Sequence, residues 1–207
     1  MNKKIYFNNK FILLGNVDPQ TSQDQSIKIY TEVNDTFLTE LTKDFLAKPD
    51  GNSVAINTAD SDNILKKLIK MFHYIEAAGG FIHKDTEFLF IHRHNRWDLP
   101  KGKLEKNETI KEAAIRECEE ECGVKDLRII HPLSSTFHLY AYKNGFALKQ
   151  TYWFYMKTDF SETLTPQLEE DIDQVKWFNR QNVESVVLRD TYYTISDIVV
   201  EALKIIH

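Results

Sequence analysis

Glu117, Glu120 and Glu121 carry the densest chemistry in this 207-residue chain. At about 100° of turn per residue, helical spacing puts all three within roughly a 100° arc of one face. Like charges three and four residues apart repel by a few tenths of a kcal/mol in water, and by more at the edge of a core. Arg116 alone is too little to compensate. A hard divalent cation held by carboxylate oxygens does so economically. Mg2+ is the expected ion, with Mn2+ as the alternative, because its remaining ligands are commonly waters and substrate phosphates.

The acids need a helix to hold them in that arc, and its ends are written in the sequence. Thr109-Ile-Lys-Glu112 has the spacing of a capping box, in which each end of the first turn satisfies the other's free backbone donor. Gly123 suits the left-handed cap that ends a helix. Ile110, Ala114, Cys118 and Cys122 recur every fourth residue, so one apolar stripe must pack against something.

Taken alone, a glutamate-rich helix is ordinarily a solvated face. The longer stretch from Gly102 to Val124 is more specific. Gly102, Glu108, Arg116, Glu117, Glu120, Glu121 and Gly123 fit the pattern G-x5-E-x7-R-E-U-x-E-E-x-G-U, with U apolar. In this the stretch resembles the box of the Nudix hydrolases. Cys118 stands where that family usually has Ile, Leu or Val, and a free cysteine is a small hydrophobe that fits the same role. Trp97-Asp98-Leu99-Pro100-Lys101 leads straight into Gly102, similar to the W-x-x-P-x-G-x entry of many members.

The resemblance runs from about residue 74 to 180 and implies an α/β fold. The expected architecture is a Nudix-like α/β/α sandwich with a mixed sheet, preceded by a small α+β unit. It implies a metal shell of Glu117, Glu120, Glu121 and the backbone carbonyl of Lys101, with Gly102, Glu108, Arg116 and Gly123 as structural support. The implied reaction is attack of water on the pyrophosphate bridge of a nucleoside diphosphate linked to another moiety. Glu117 and Glu120 would be catalytic, and Glu120 or a downstream acid, Glu169 or Glu170, would take the proton of the water. Those two lie in Pro166–Ile172, ahead of a Val175-Lys-Trp177 strand that is similar to the family's last strand.

Substrate contacts are expected around this frame. Arg93, Arg96, Lys101 and Lys103 flank the box, and their side chains suit phosphate. The hairpin that turns at Lys143-Asn144-Gly145 is rich in aromatics, of which Tyr140 and Tyr152 are candidates to stack on a nucleobase, with Lys149 a further phosphate contact. Pro100-Lys101-Gly102-Lys103 is similar to the entry of diadenosine polyphosphate hydrolases, which puts dinucleoside polyphosphates first. The alternatives are a house-cleaning pyrophosphatase for modified nucleoside triphosphates and a non-catalytic Nudix-fold nucleotide sensor. Sensors commonly lose box acids, whereas every acid is present here.

Composition bounds the rest. The chain is 42% hydrophobic and 28% charged, ordinary for a globular protein, and its net charge of -5 argues against a nucleic-acid surface of the usual basic kind. The start, Met1 to Lys10, lacks the apolar core of a signal peptide, and no run reaches membrane-spanning length, so the cytoplasm is the expected compartment. Cys118 and Cys122 have no further Cys and no nearby Cys/His pair, so reduced thiols are expected rather than a zinc site. Residues 1–73 form an α+β extension of mixed strands and two helices, 35–47 and 61–73, broken near Asp18-Pro19 and Pro49-Asp50-Gly51. They carry no motif, and a structural or homodimer-forming extension is expected. Residues 74–207 would form the hydrolase domain with C-terminal helices, the last packing through Ile198, Val199, Ala202 and Ile205.

Overall fold

The structure is a computed structural model and describes residues 2–18, 21 and 23–206. Pro19, part of the break expected in the N-terminal unit, lies outside the described residues. The chain divides into two compact units, residues 1–75 with 137–149, and residues 76–136 with 150–207.

In the first unit, β1 (Lys3–Phe7) and β2 (Lys10–Gly15) form an antiparallel hairpin, and β2 runs parallel to β4 (Ser53–Asn57), which runs parallel to β3 (Ile27–Tyr30). Strand β10 (Thr136–Tyr142) adds parallel to β1, with Ile5 opposite Phe137. Parallel pairing needs crossovers, and two helices supply them: α1 (Asp35–Ala47), capped by Asn34, and α2 (Ser61–Ile69), capped by Asp60. Their apolar faces, Leu38, Leu41 and Phe45 with Ile64, Leu65 and Leu68, cover Ile5, Ile12, Leu14 and Ile56.

In the second unit a mixed set of strands lies between two helical layers. Strand β12 (Ile172–Asn179) pairs antiparallel with β6 (Glu87–Arg93), and β6 with β5 (His73–Lys84). Next to β5 comes β11 (Gly145–Lys157), whose end pairs with β9 (Arg128–Pro132). Because strand side chains alternate, adjacent residues serve opposite layers. Phe81, Phe88, Phe90, Trp153 and Tyr155 pack on the C-terminal helices α4 (Arg180–Ser185) and α5 (Tyr193–Ile205). Ile82, Leu89, Ile91, Phe154 and Met156 face α3 (Ile110–Cys122). This is the expected α/β sandwich with a mixed sheet.

Two details of the helices differ from the sequence reading, the first being that the helix expected over 61–73 ends at Ile69. On α5, Leu203 is buried, while Ile205, expected on the packing face, is 40% exposed because it lies in the last turn. The join into the box is built of paired strands: β7 (Arg96–Asp98) pairs with β6, and β8 (Lys101–Lys103) pairs with β5 through Ala77 to Gly79. Among the described residues no helix is long and apolar enough to cross a membrane.

Candidate active site

The helix α3 forms as its ends foretell. The Thr109 side chain accepts from the Glu112 N–H while the Glu112 carboxylate accepts from the Thr109 N–H, and Gly123 closes the helix at φ 68°. Ala113, Ala114, Cys118 and Cys122 are buried on one side, so the acidic arc is turned along the edge of the core rather than wholly into water.

That edge treats the three glutamates differently. Glu121 is 1% exposed, Glu117 is half-buried and Glu120 is exposed. The Glu121 Oε2 accepts the Lys101 backbone N–H at 2.9 Å, and its Oε1 lies 3.6 Å from the Arg93 guanidinium. Burial pushes the Glu121 carboxyl up to about 7, against the pull of the Lys101 charge and N–H and of Arg93. Burial also raises the Glu117 carboxyl, and the charges of Glu120 and Glu170 add to that, while Arg116 opposes it.

Arg116 gathers the rest. Its guanidinium donates to Glu108 at 2.8 and 3.0 Å, to Glu117 at 2.9 Å, to Glu120 at 2.9 Å and to the Lys103 carbonyl at 3.1 Å. Those bonds lift the Arg116 guanidinium above its ordinary value and hold Glu108 below the usual carboxylate range. A planar donor fork suits this bridging in a way an ammonium does not. At Gly102 a Cβ would come within 1.9 Å of the Glu117 carboxylate, so glycine lets that acid lie against the β8 backbone.

The downstream acids reach the same neighbourhood. Thr165 donates its N–H to the Cys122 carbonyl, and Gln167 donates to the Glu121 carbonyl, pinning the segment that carries Glu169 and Glu170 to the end of α3. Both glutamates are exposed in a short 3-10 turn, Leu168–Glu170.

The predicted basic and aromatic residues scatter. Arg93 is beside Glu121, while Arg96 is exposed with its guanidinium over the Tyr192 ring at 5.3 Å. The Lys101 ammonium pairs with Asp98 at 2.5 Å and donates to the Leu99 carbonyl, whereas the Lys103 side chain is exposed. Tyr152 donates its hydroxyl to Glu76 at 2.8 Å. Tyr140 and Lys149 belong to the first unit, where Tyr140 lies 5.6 Å from the His138 ring. Sequence reasoning passed over Asp98, while the Gly79-Gly80 pair in its strand is of the kind that allows close backbone approach. Asp98 sits three residues before Lys101, a pairing spacing in plain view, and a Cβ on Gly79 would come within 2.3 Å of the Pro100 carbonyl.

The donor set suits a hard cation. Glu117, Glu120 and Glu121 offer only carboxylate oxygens, the ligand type Mg2+ and Mn2+ take, and the space a Cβ would fill at Gly102 is taken by the Glu117 carboxylate. Among the described residues no three His, Cys, Asp or Glu side chains converge as a ready cage, and Arg116 spans Glu117 and Glu120.

The NUDIX domain model matches residues 73–199. An RNA pyrophosphohydrolase of Bartonella henselae is similar, 29% identical over 122 residues that make up 52% of this chain and 67% of that protein. An ADP-ribose pyrophosphatase of Methanocaldococcus jannaschii is 40% identical over 65 residues, 29% of this chain and 38% of that one. The solution structure of the E. coli ORF135 protein shares the fold, with a TM-score of 0.50 and 17% identity over 66% of this chain and 93% of that one. With the full box in place on its helix and the family matched over more than half its length, the chain belongs to the NUDIX domain family.

Proposed function

We propose that this Nudix-type pyrophosphohydrolase uses Mg2+, or Mn2+, to cleave a pyrophosphate bond in a nucleoside diphosphate linked to another moiety, with dinucleoside polyphosphates the first class to try. The observation that carries this reading is the graded trio on α3, with buried Glu121, half-buried Glu117 and exposed Glu120 lying along one edge of the helix. The relatives support the substrate class, since RNA and ADP-ribose both join a nucleoside phosphate to a second group. A cytoplasmic location accords with a nucleotide substrate.

Glu117, Glu120 and Glu121, with the Lys101 carbonyl, would hold the cation. When bound, it supplies screening of phosphate charge and a more acidic water. The protein supplies the rest. Arg116 fixes the orientation of Glu117 and Glu120, so neither must be ordered during reaction. Glu120, the exposed member, is open to water, which supports it as the acceptor of the proton, and Glu169 and Glu170 on the pinned turn would be the alternative bases. Of the predicted cations Arg93 would meet phosphate, a reading supported by its half-buried position beside Glu121.

A panel of dinucleoside polyphosphates, ADP-ribose, 5′-triphosphorylated RNA and modified nucleoside triphosphates, assayed with Mg2+ or Mn2+ and analysed for phosphate products, tests the reading. Turnover of one class, lost with chelator, is expected. Tight binding without turnover of any panel member would replace it with the nucleotide-sensor reading.

A further inference from the structure

Lys101 invites reading as a phosphate-binding cation, since it stands next to the box glycine, but its side chain is already committed. The Lys101 ammonium lies 2.5 Å from the Asp98 carboxylate, and the two side chains are only 15% and 5% exposed. It also donates to the Leu99 carbonyl at 3.2 Å. The other Asp98 oxygen accepts the Leu99 N–H at 2.7 Å, so one buried carboxylate ties both ends of the Asp98–Lys101 turn.

The backbone on either side is locked as well. Gly80 donates its N–H to the Pro100 carbonyl at 3.2 Å, and Lys101 is registered against Gly79 in the β5–β8 ladder, where no Cβ would fit. The product of all this is one placed peptide: the Lys101 N–H on Glu121 at 2.9 Å, immediately before Gly102, against which Glu117 lies. An ion pair this dry is a poor source of net stability, because both charges lose water. Its worth lies in geometry, and the geometry it sets belongs to the carboxylates of the site.

We propose that Asp98 is a positioning residue of the hydrolytic site, and that its pairing with Lys101 makes the lysine an internal brace for the Glu121 contact rather than a ligand for substrate phosphate. This deepens the metal-dependent reading above and rests on it. Residues that orient metal ligands commonly matter 10- to 100-fold in metal affinity.

The test measures Mn2+ binding to the full chain without substrate, by calorimetry and by the electron paramagnetic resonance of free Mn2+, alongside kcat and KM on whichever panel substrate turns over. The variants are Asp98→Asn, Lys101→Met and the two combined. The double variant strands no buried charge, and near-ultraviolet circular dichroism checks that it folds. Each single variant is expected to weaken Mn2+ binding about 10- to 100-fold and to lower kcat with KM within about twofold. The double variant should be no weaker than either single one, because both remove the same brace. A Lys101→Met protein that binds Mn2+ as the parent does, or differs from it only by a raised KM, would overturn the proposal, as would losses that multiply in the double variant. If no panel substrate is turned over, the hydrolase reading fails by itself, and the Mn2+ measurements still decide whether the brace exists.

Discussion

Three glutamates in one motif turn out to have three different environments. Glu120 is exposed and, among the described residues, bonded through Arg116, so its charge is expected to be dispensable for the fold. Glu120→Gln is therefore expected to lower kcat by at least about a hundredfold, the usual scale for a lost general base or metal ligand. Its melting temperature in chelator should stay within a degree or two of the parent, and a large drop there would assign Glu120 a structural task instead. Gly102 makes the opposite case, a residue with no side chain on which a reactive one depends. A methyl group at that position would collide with Glu117, so Gly102→Ala should weaken Mn2+ binding by about 10- to 100-fold with little change in secondary structure, as titration with the metal and circular dichroism would show. Lys101 teaches the converse lesson, because residue type and position suggested a phosphate contact while its ammonium is turned inward to Asp98.

The helix α3 was legible almost to the residue, because its start, its stop and its buried stripe are all local. The capping box at Thr109 and the left-handed Gly123 depend on neighbours within four positions, and such signals survive without knowledge of the fold. Thr109→Ala should accordingly cost about 1 kcal/mol of stability, within the 0.5–2 range for lost caps, measured by urea denaturation. Activity should follow only in so far as the first turn frays. The short strands β7 and β8 were not legible. Three residues carry too little alternation to be recognised, and their pairing partners on β6 and β5 come from as many as 26 positions earlier in the β5–β8 ladder, where Ala77 faces Lys103. The turn at Leu168–Glu170 falls within Pro166–Ile172, the stretch that the sequence marks for its acids, but its pinning to the end of α3 by Thr165 and Gln167 is a tertiary fact.

At the scale of the molecule, each unit has its own apolar centre, and titratable groups are mostly kept at the surface. His83 is an exception, buried on β5 with its Nδ1 2.8 Å from the Tyr155 hydroxyl and its ring stacked on Phe88. Burial holds its pKa below 6.5; the Lys157 charge adds to that, and Asp85 opposes it. The unfolded chain therefore takes up this proton first as pH falls. The stability due to neutral His83 is complete above about pH 6.5 and declines below it, towards the lower folded value. Thermal melts at pH 7.5 and 5.5 should show a drop that is smaller in His83→Gln, and an equal drop in both proteins would exclude His83 as its source.

Read as a string, this chain discloses its family box, the helix that carries it and the acids on one face of that helix, because each rests on spacing along the backbone, and the α/β class follows from the resemblance that the box carries. Which glutamate is buried, which cation is spent on an internal pair and which glycine leaves room for a carboxylate were decided only when distant segments met. Burial and close approach are properties of neighbours brought together by folding: Lys101 meets Glu121, Gly79 meets Pro100 and Arg116 meets Glu108 through space, and no periodicity in the sequence reports the distance between them.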